Sequence, residues 1–417
     1  MSPKFVTGGI MLRGRRTPAE ILEELERQKA SVKDYVLSTS DVSFMTHPVT
    51  GDLTFVLDID DGDFPERLCM PLNSRTHAQI AQYVGLPMRS GLYKRFRTGS
   101  STNEHLYYET WAMLYNEVLH KEPSRRLFRT VEDSGGNRYL RAFLSNRYMI
   151  IDNADVFFAA ADALENVGAE IVHARLDDDH FHIYAVAPGI CAQVSPDRVF
   201  TDADGKRVRW SGDKADVLNA AISISNSETG EGQCEIRPAI FRSVSQTYSV
   251  WDSVLSKRHA GGTDAADAAM LTDDTRRKKN DVFYSEIKDW VAGTFTPETL
   301  EKYIKIVEGA AVDEVVDPIA AVEGLRVTYD ITDDRKDAIR DRFLRQGDRS
   351  RYGLAQAIMD ESAGDLAPSE GTNLERISAK VLEITTSEEL AHVGRREIKS
   401  RESKVPATAV AVGDLDI

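Results

Sequence analysis

Cysteine is scarce in this chain. Its three copies, Cys69, Cys191 and Cys234, lie far apart and none sits in a Cys-x-x-Cys pair. That spacing excludes a disulfide framework and a cysteine-based structural zinc site. Long apolar runs are also missing; no stretch approaches the roughly 18–20 residues of a membrane-crossing helix. The opening MSPKFVTGGIMLRGRRTPAE has no signal-peptide apolar core. The expectation is a cytoplasmic protein with no membrane association, in a host-cell cytoplasm if phage-encoded. No G-x-x-x-x-G-K-[ST] phosphate loop, no G-x-S-x-G elbow, no internal repeat and no low-complexity tract occur. Ser, His and Asp are plentiful, but no local signature joins a nucleophile to a base. The leading expectation is therefore a protein without covalent chemistry and without a cofactor.

What is present is an ordinary globular composition, 41% apolar and 29% charged over 417 residues, enough for two or three folded units. The net charge of −15 speaks against indiscriminate nucleic-acid binding. The charge is uneven, however. Met88 to Tyr148 carries eleven Lys/Arg against six Asp/Glu, whereas Ala311 to the C-terminus carries 22 acids against 15 bases. A basic working region beside an acidic partner-binding or solubility region fits this asymmetry, as does plain surface variation.

Thr17-Pro18-Ala19-Glu20 reads as a helix start, with Thr17 as N-cap, and the helix is expected to end near Ser38. Short strands are expected over 42–72 and a helix over 74–83. Residues 78–97 have a loose helix-turn-helix rhythm that could serve duplex binding or plain core packing. Tyr108, Trp111 and Tyr115 form a helical stripe, read as core-facing. From about residue 125 the pattern alternates, strand-strand-helix and then strand pairs. The fold class that follows is α+β: a central antiparallel sheet with helices on one face, then a helical C-terminal region. The divisions expected are an N-terminal helical and short-strand region 1–120, a central domain 121–258, a linker 259–280, a helical region 281–393 and a mobile tail 394–417.

Three segments, in order, carry a family resemblance. They are Leu144-Ser145-Asn146-Arg147-Tyr148 ahead of a helix, Ile224-Ser225-Asn226-Ser227-Glu228 with Gly230 and Gly232, and Arg351-Tyr352-Gly353-Leu354. Over roughly residues 70–385 the chain resembles the phage- and plasmid-borne "domain of unknown function 932" family. The resemblance implies a mobile-element protein, with no established chemistry attached. A fold-level analogy to single-strand annealing recombinases (the Red-beta, Erf and RecT type) implies an annealing or recombination accessory role. One departure is the turn Val244-Ser245-Gln246-Thr247-Tyr248-Ser249, which stands where the family has "VCTNGM". Any ligand contact made by that turn in relatives does not carry over.

The stretch ISISNSETGEGQCEIRPAIFRSV reads as two strands joined at Gly230 and Gly232, glycines that suit a turn needing positive φ. In the preceding hairpin, IVHARLDDDHFHIYAV, strand alternation puts Val172, Ala174, Leu176, Phe181, Ile183 and Ala185 on the apolar sides. His173, Arg175, His180, His182 and Tyr184 fall on the polar ones. A face of donors, cationic groups and rings combines phosphate neutralisation with base stacking, the needs of a single-strand binder. The candidate nucleic-acid residues are Arg141, Arg147, Tyr148, His173, Arg175, His180, His182, Tyr184, Arg237, Arg242, Lys257 and Arg258. Basic clusters at 89–97, 125–129 and 276–279 add to the same reading. The face also admits an ordinary solvated surface, or a metal site built on His173, His180 and His182. A further alternative is a protein-interaction factor acting through the acidic helical C-terminal region, including the terminal Gly-Asp-Leu-Asp-Ile. Single-stranded DNA is the favoured partner, and annealing would call for a homo-oligomer.

Overall fold

A computed structural model describes residues 11–59, 66–86, 104–195, 197–201, 206–211, 216–252, 255–257, 273–383 and 386–402. The N-terminal helix α1, Pro18–Ser31, starts as its sequence requires. Thr17 and Glu20 form a reciprocal capping box, with Pro at the first turn. It stops seven residues earlier than the pattern predicts, because Lys33–Ser38 leaves as strand β2 to pair antiparallel with Arg125–Glu132, β6. Val36 and Tyr35 favour that extended ladder, and helical periodicity cannot register a partner 90 residues away.

Among the described residues the strands form four antiparallel sheets. One small sheet joins β2, β6 and Arg138–Ser145, β7. A second joins Val42–Thr46, Leu53–Ile59 and Glu66–Pro71, strands β3 to β5. The helices α2, Ser74–Tyr83, and α3, Glu104–Lys121, pack beside them around an aromatic core. Trp111 and Tyr115 are fully buried in that core, which is the core-facing stripe the spacing predicted.

The large sheet has seven strands. Its order is β1 (Met11–Arg16), β8 (Glu170–Asp177), β9 (Phe181–Val194), β12 (Asp216–Asn226), β13 (Cys234–Arg242) and β14 (Thr247–Val250), with β15 (Leu255–Lys257) also on β13. Strands β10, Asp197–Thr201, and β11, Arg207–Ser211, form a separate two-stranded ribbon that the sequence reading did not single out. Because β1 and β2 pair with β8 and β6, the 1–120 segment is woven into the central one rather than standing beside it.

One face of the large sheet carries Ala174, Leu176, Ile183, Ile222 and Ile236 against α1 and α4, Asn153–Asn166. The C-terminal helices are α5 (Asp273–Thr294), α6 (Pro297–Val312), α7 (Pro318–Tyr329), α8 (Asp333–Gln346), α9 (Arg351–Ser362), α10 (Pro368–Glu383) and α11 (Ser387–Glu402). The class is α+β with an antiparallel sheet and a helical C-terminal region, as the pattern predicts. Helix α5 begins inside the segment read as linker, and α11 runs into the segment read as tail.

The C-terminal helices do more than follow the sheet. Helices α9 and α10 lie on its second face, over Tyr184, Val186, Phe241, Tyr248 and Val250. Ser249 in β14 is hydrogen-bonded to Ser378 of α10 at 2.8 Å and donates to Met359 Sδ of α9 at 3.1 Å. No described helix is long and apolar enough to cross a membrane.

Candidate functional site

Strand register confirms that the polar residues of the β8–β9 hairpin share a side: His173 stands opposite Tyr184, and Arg175 opposite His182. Helix α10 decides what that side can do. At the Arg175 end it seals the face. Arg175 is fully buried, donates to Glu375 Oε1 at 3.1 Å and to the Ser362 carbonyl at 2.7 Å, and shares Glu375 with Arg15 at 2.9 Å. Gly371 makes this approach feasible, since a Cβ there would stand 2.3 Å from Arg175 Nη1. Tyr184, also fully buried, shares a hydrogen bond with Thr372 at 3.2 Å. Half-buried His173 meets the Tyr248 ring edge-on at 6.1 Å. Burial, with Arg15 and Arg175 nearby, pushes its pKa down to about 4.

The expectation that this face is free for a polymer is thus corrected for Arg175 and Tyr184. The cause is the helix arriving from 200 residues downstream. Arg141 is corrected in the same sense. It is 1% exposed and donates to Glu228 Oε2 at 2.8 Å and to the Asp178 carbonyl at 3.1 Å. Arg242 is half-buried and paired with Asp216 at 2.8 Å, on a carboxylate that also accepts from Tyr352 and Gln356. The side chain of Lys257 and the whole of Arg258 lie outside the described residues, as do residues 87–97 of the helix-turn-helix reading and the Gly-Asp-Leu-Asp-Ile end.

The glycine-rich hairpin tip is not a solvent loop. Ser227, Glu228 and Thr229 are buried. Glu228 Oε1 accepts the Asn153 backbone N–H at 2.6 Å, at the first turn of α4. Asp152, at the N-cap position of that helix, makes no side-chain cap bond among the described residues and pairs instead with buried Arg129. Glu228 therefore supplies the negative charge at the helix start while its other oxygen holds Arg141. Tyr148 donates to the Ser227 carbonyl at 2.8 Å, and Arg75 bridges Asp179 at 2.7 Å and Glu231 at 2.9 Å. Gly230 has φ +83°, and a Cβ there would stand 2.9 Å from Leu144 Cδ2. The Leu144–Tyr148 and Ile224–Gly232 motifs, distant in the chain, are therefore in direct contact.

Where the hairpin passes beyond the sealed end, the face opens into a cleft of about 950 Å³. Its walls come from five places, one of them the β12–β13 tip with Gly230, Glu231 and Gly232. Arg147 and Tyr148 follow β7; His180 and His182 lie on the β8–β9 hairpin; Ser223, Ser225 and Arg237 belong to β12 and β13; Thr372, Asn373 and Arg376 belong to α10. The His180 and His182 rings stack, centroids 6.0 Å apart and 21° from parallel. His182 is 8% exposed, and burial together with the His180 charge pushes its pKa down to about 3, so it is neutral. His180 is half-buried; burial works to lower its pKa, but Asp177, 3.7 Å from Nδ1, and Asp179 outweigh it and raise it. The stack thus pairs a neutral inner ring with a readily cationic outer one. Arg147 is exposed and forms no ion pair among the described residues.

Of the residues singled out by sequence, Arg147, Tyr148, His180, His182 and Arg237 come together in this cleft. Arg376 and Asn373 were missed; they lie on an amphipathic helix whose sequence gives no sign of which sheet it covers. Among the described residues no group of three or more His, Cys, Asp or Glu is placed to hold a metal ion, and His173 stands apart against Tyr248. The three-histidine metal site therefore lacks its ligand set. No family profile, curated protein or solved structure matches the chain.

Proposed function

We propose that the cleft binds single-stranded nucleic acid, a few nucleotides at a time, without covalent chemistry. The observation that carries this reading is the His180–His182 stack, set in a cleft bordered by Arg147, Arg237 and Arg376. A base laid on the outer His180 ring extends the stack, and base stacking on a ring contributes about 1–3 kcal/mol. The arginines neutralise the flanking phosphates, and Ser223, Ser225 and Asn373 offer hydrogen bonds to base or sugar edges. A cleft rather than a flat face suits a strand that must bend inward, which disfavours a rigid duplex. The contact between the two motifs behind the family resemblance, at this cleft, supports the same reading. An annealing role adds the expectation of protomers assembling along the strand.

The test is fluorescence anisotropy with labelled single-stranded and duplex DNA at about 50 and 200 mM salt. Binding that favours the single strand and weakens with salt is expected, and Arg147→Ala with His180→Ala together should abolish most of it, with thermal melts as the folding control. Equal binding by that double variant would remove the cleft as the site.

A second reading rests on a different surface. At the α6–α7 turn Val312, Val316 and Ile319 are 85%, 80% and 63% exposed beside Glu314 and Asp317. An apolar patch with acids at its margin suits a basic, apolar-tipped segment of a partner protein. Val316→Asp with Ile319→Asp should abolish capture of such a partner.

A further inference from the structure

We propose that Arg237, Arg376 and Lys380 form a phosphate-docking site at the rim of the cleft, which the Asp252 carboxylate fills in the free protein and from which a phosphoester displaces it. For the identity of its ligand as a nucleic-acid strand, this rests on the reading of the cleft given above. The anion site itself stands on its own geometry.

Asp252 accepts from Arg376 Nη2 at 3.2 Å, with Arg237 Nη1 at 3.5 Å and Lys380 Nζ at 3.9 Å. Three cations from two elements converge on one carboxylate. Arg376 and Lys380 are one turn apart on α10 and so share a face. Arg237 reaches across from β13. The preceding Trp251 is 4% exposed and packs on Tyr303 with centroids 4.2 Å apart, which anchors the chain that presents Asp252.

The acid is a poor permanent partner. Its side chain is 57% exposed, and exposed ion pairs contribute only about 0–1 kcal/mol. A phosphate presents more oxygens and equal or greater charge, and arginine forks match it in two-point contacts. The local balance favours such an exchange. Arg237 also pairs with Glu235, so three cations face two carboxylates while Asp252 is in place. Once Asp252 swings out they face one. Arg376 also keeps a buried Nε donor with no acceptor among the described residues. Asp252 thus acts as an internal stand-in for the ligand. It keeps the arginines oriented and raises the threshold for non-specific anions.

The experiment compares the full chain with Asp252→Asn and with Asp252→Asn/Arg376→Gln. Two probes are used: inorganic pyrophosphate by calorimetry and a short labelled oligothymidylate by anisotropy, with thermal melts as the folding control. Asp252→Asn should bind about 3–5-fold tighter, the worth of the exposed pair it loses. Its oligonucleotide salt dependence should steepen by about one phosphate contact. Adding Arg376→Gln should remove the gain. A gain for both probes supports the site with the strand as its ligand. A gain for pyrophosphate with no oligonucleotide binding by any variant supports the anion site and overturns the strand reading. No gain for either probe, in a protein that melts normally, overturns the site whatever the wild-type chain does with DNA.

Discussion

The two ends of the polar side of the β8–β9 hairpin are built from similar residues and have opposite fates. At one end Arg175, Tyr184 and His173 lie under α10, with Arg175 locked to Glu375 and fully buried. At the other, His180 and His182 border an open cleft with Arg237 and Arg376. Residue type does not separate them, since each end has histidine and cation. Gly371 and Glu375 separate them: a residue without Cβ admits the guanidinium and a buried carboxylate neutralises it. A cationic strand face in this protein is buried or open according to what the last third of the chain lays upon it.

Breaking the sealed end should have the largest effect. Glu375→Ala leaves Arg175 buried without its carboxylate, and Arg15 loses the same partner. The expected loss is about 3–5 kcal/mol in a denaturant titration. Gly371→Val should be comparably damaging, because its side chain meets Arg175. A loss under about 1 kcal/mol for Glu375→Ala would show that α10 is not held by this pair.

The glycine-rich loop ranks next. Glu228→Gln keeps the shape but removes the charge facing Arg141 and the α4 start. It should cost about 2–3 kcal/mol. Retained stability would mean that the two oxygens act only as neutral acceptors.

A pH series compares the histidines by sign. His182 and His77 are buried, with pKa values pushed down to about 3 and about 4 by burial, against 6.5 unperturbed. Their folded pKa values are depressed, so the unfolded chain binds protons first. Stability present above pH 6.5 is lost as pH falls toward those folded values. Each such group contributes a slope of up to about 1.4 kcal/mol per pH unit. His180, whose pKa is raised, works the other way. Urea midpoints should therefore fall from pH 6.5 to 5. His182→Gln should flatten the fall and His180→Gln should steepen it. An unaltered profile in His182→Gln would contradict its burial as a neutral ring.

The smallest effect belongs to the open end. Arg147→Ala should leave the melting temperature unchanged. It should weaken single-strand binding a few-fold and lower the salt slope by about one contact. A stability loss there would move Arg147 to the structural group.

Much of the scaffold was legible because its causes are local. The Thr17–Glu20 capping box, the core stripe through Trp111 and Tyr115, and the alternation in residues 173–176 and 181–186 depend on neighbours within a few residues; the bulge between Ile171 and His173, which sets Val172 beside the Tyr184 cluster instead of with Ala174 and Leu176, does not show in the pattern. Where a partner is remote the reading failed. Residues 33–38 look helical until β6 is present to pair with them. The tip at Ser227–Gly232 looks like an exposed turn until Arg141, Asn153 and Tyr148 surround it.

The α+β class, the antiparallel pairing and the shared side of His173, Arg175, His182 and Tyr184 follow from the sequence alone. Backbone alternation and capping are properties of adjacent residues. Which of those residues meet solvent depends on remote packing. Burial is set by elements such as α10, 200 residues from Arg175, and by whether a carboxylate arrives with them. An arginine reads the same in a sequence whether it faces an open cleft or has already closed on Glu375.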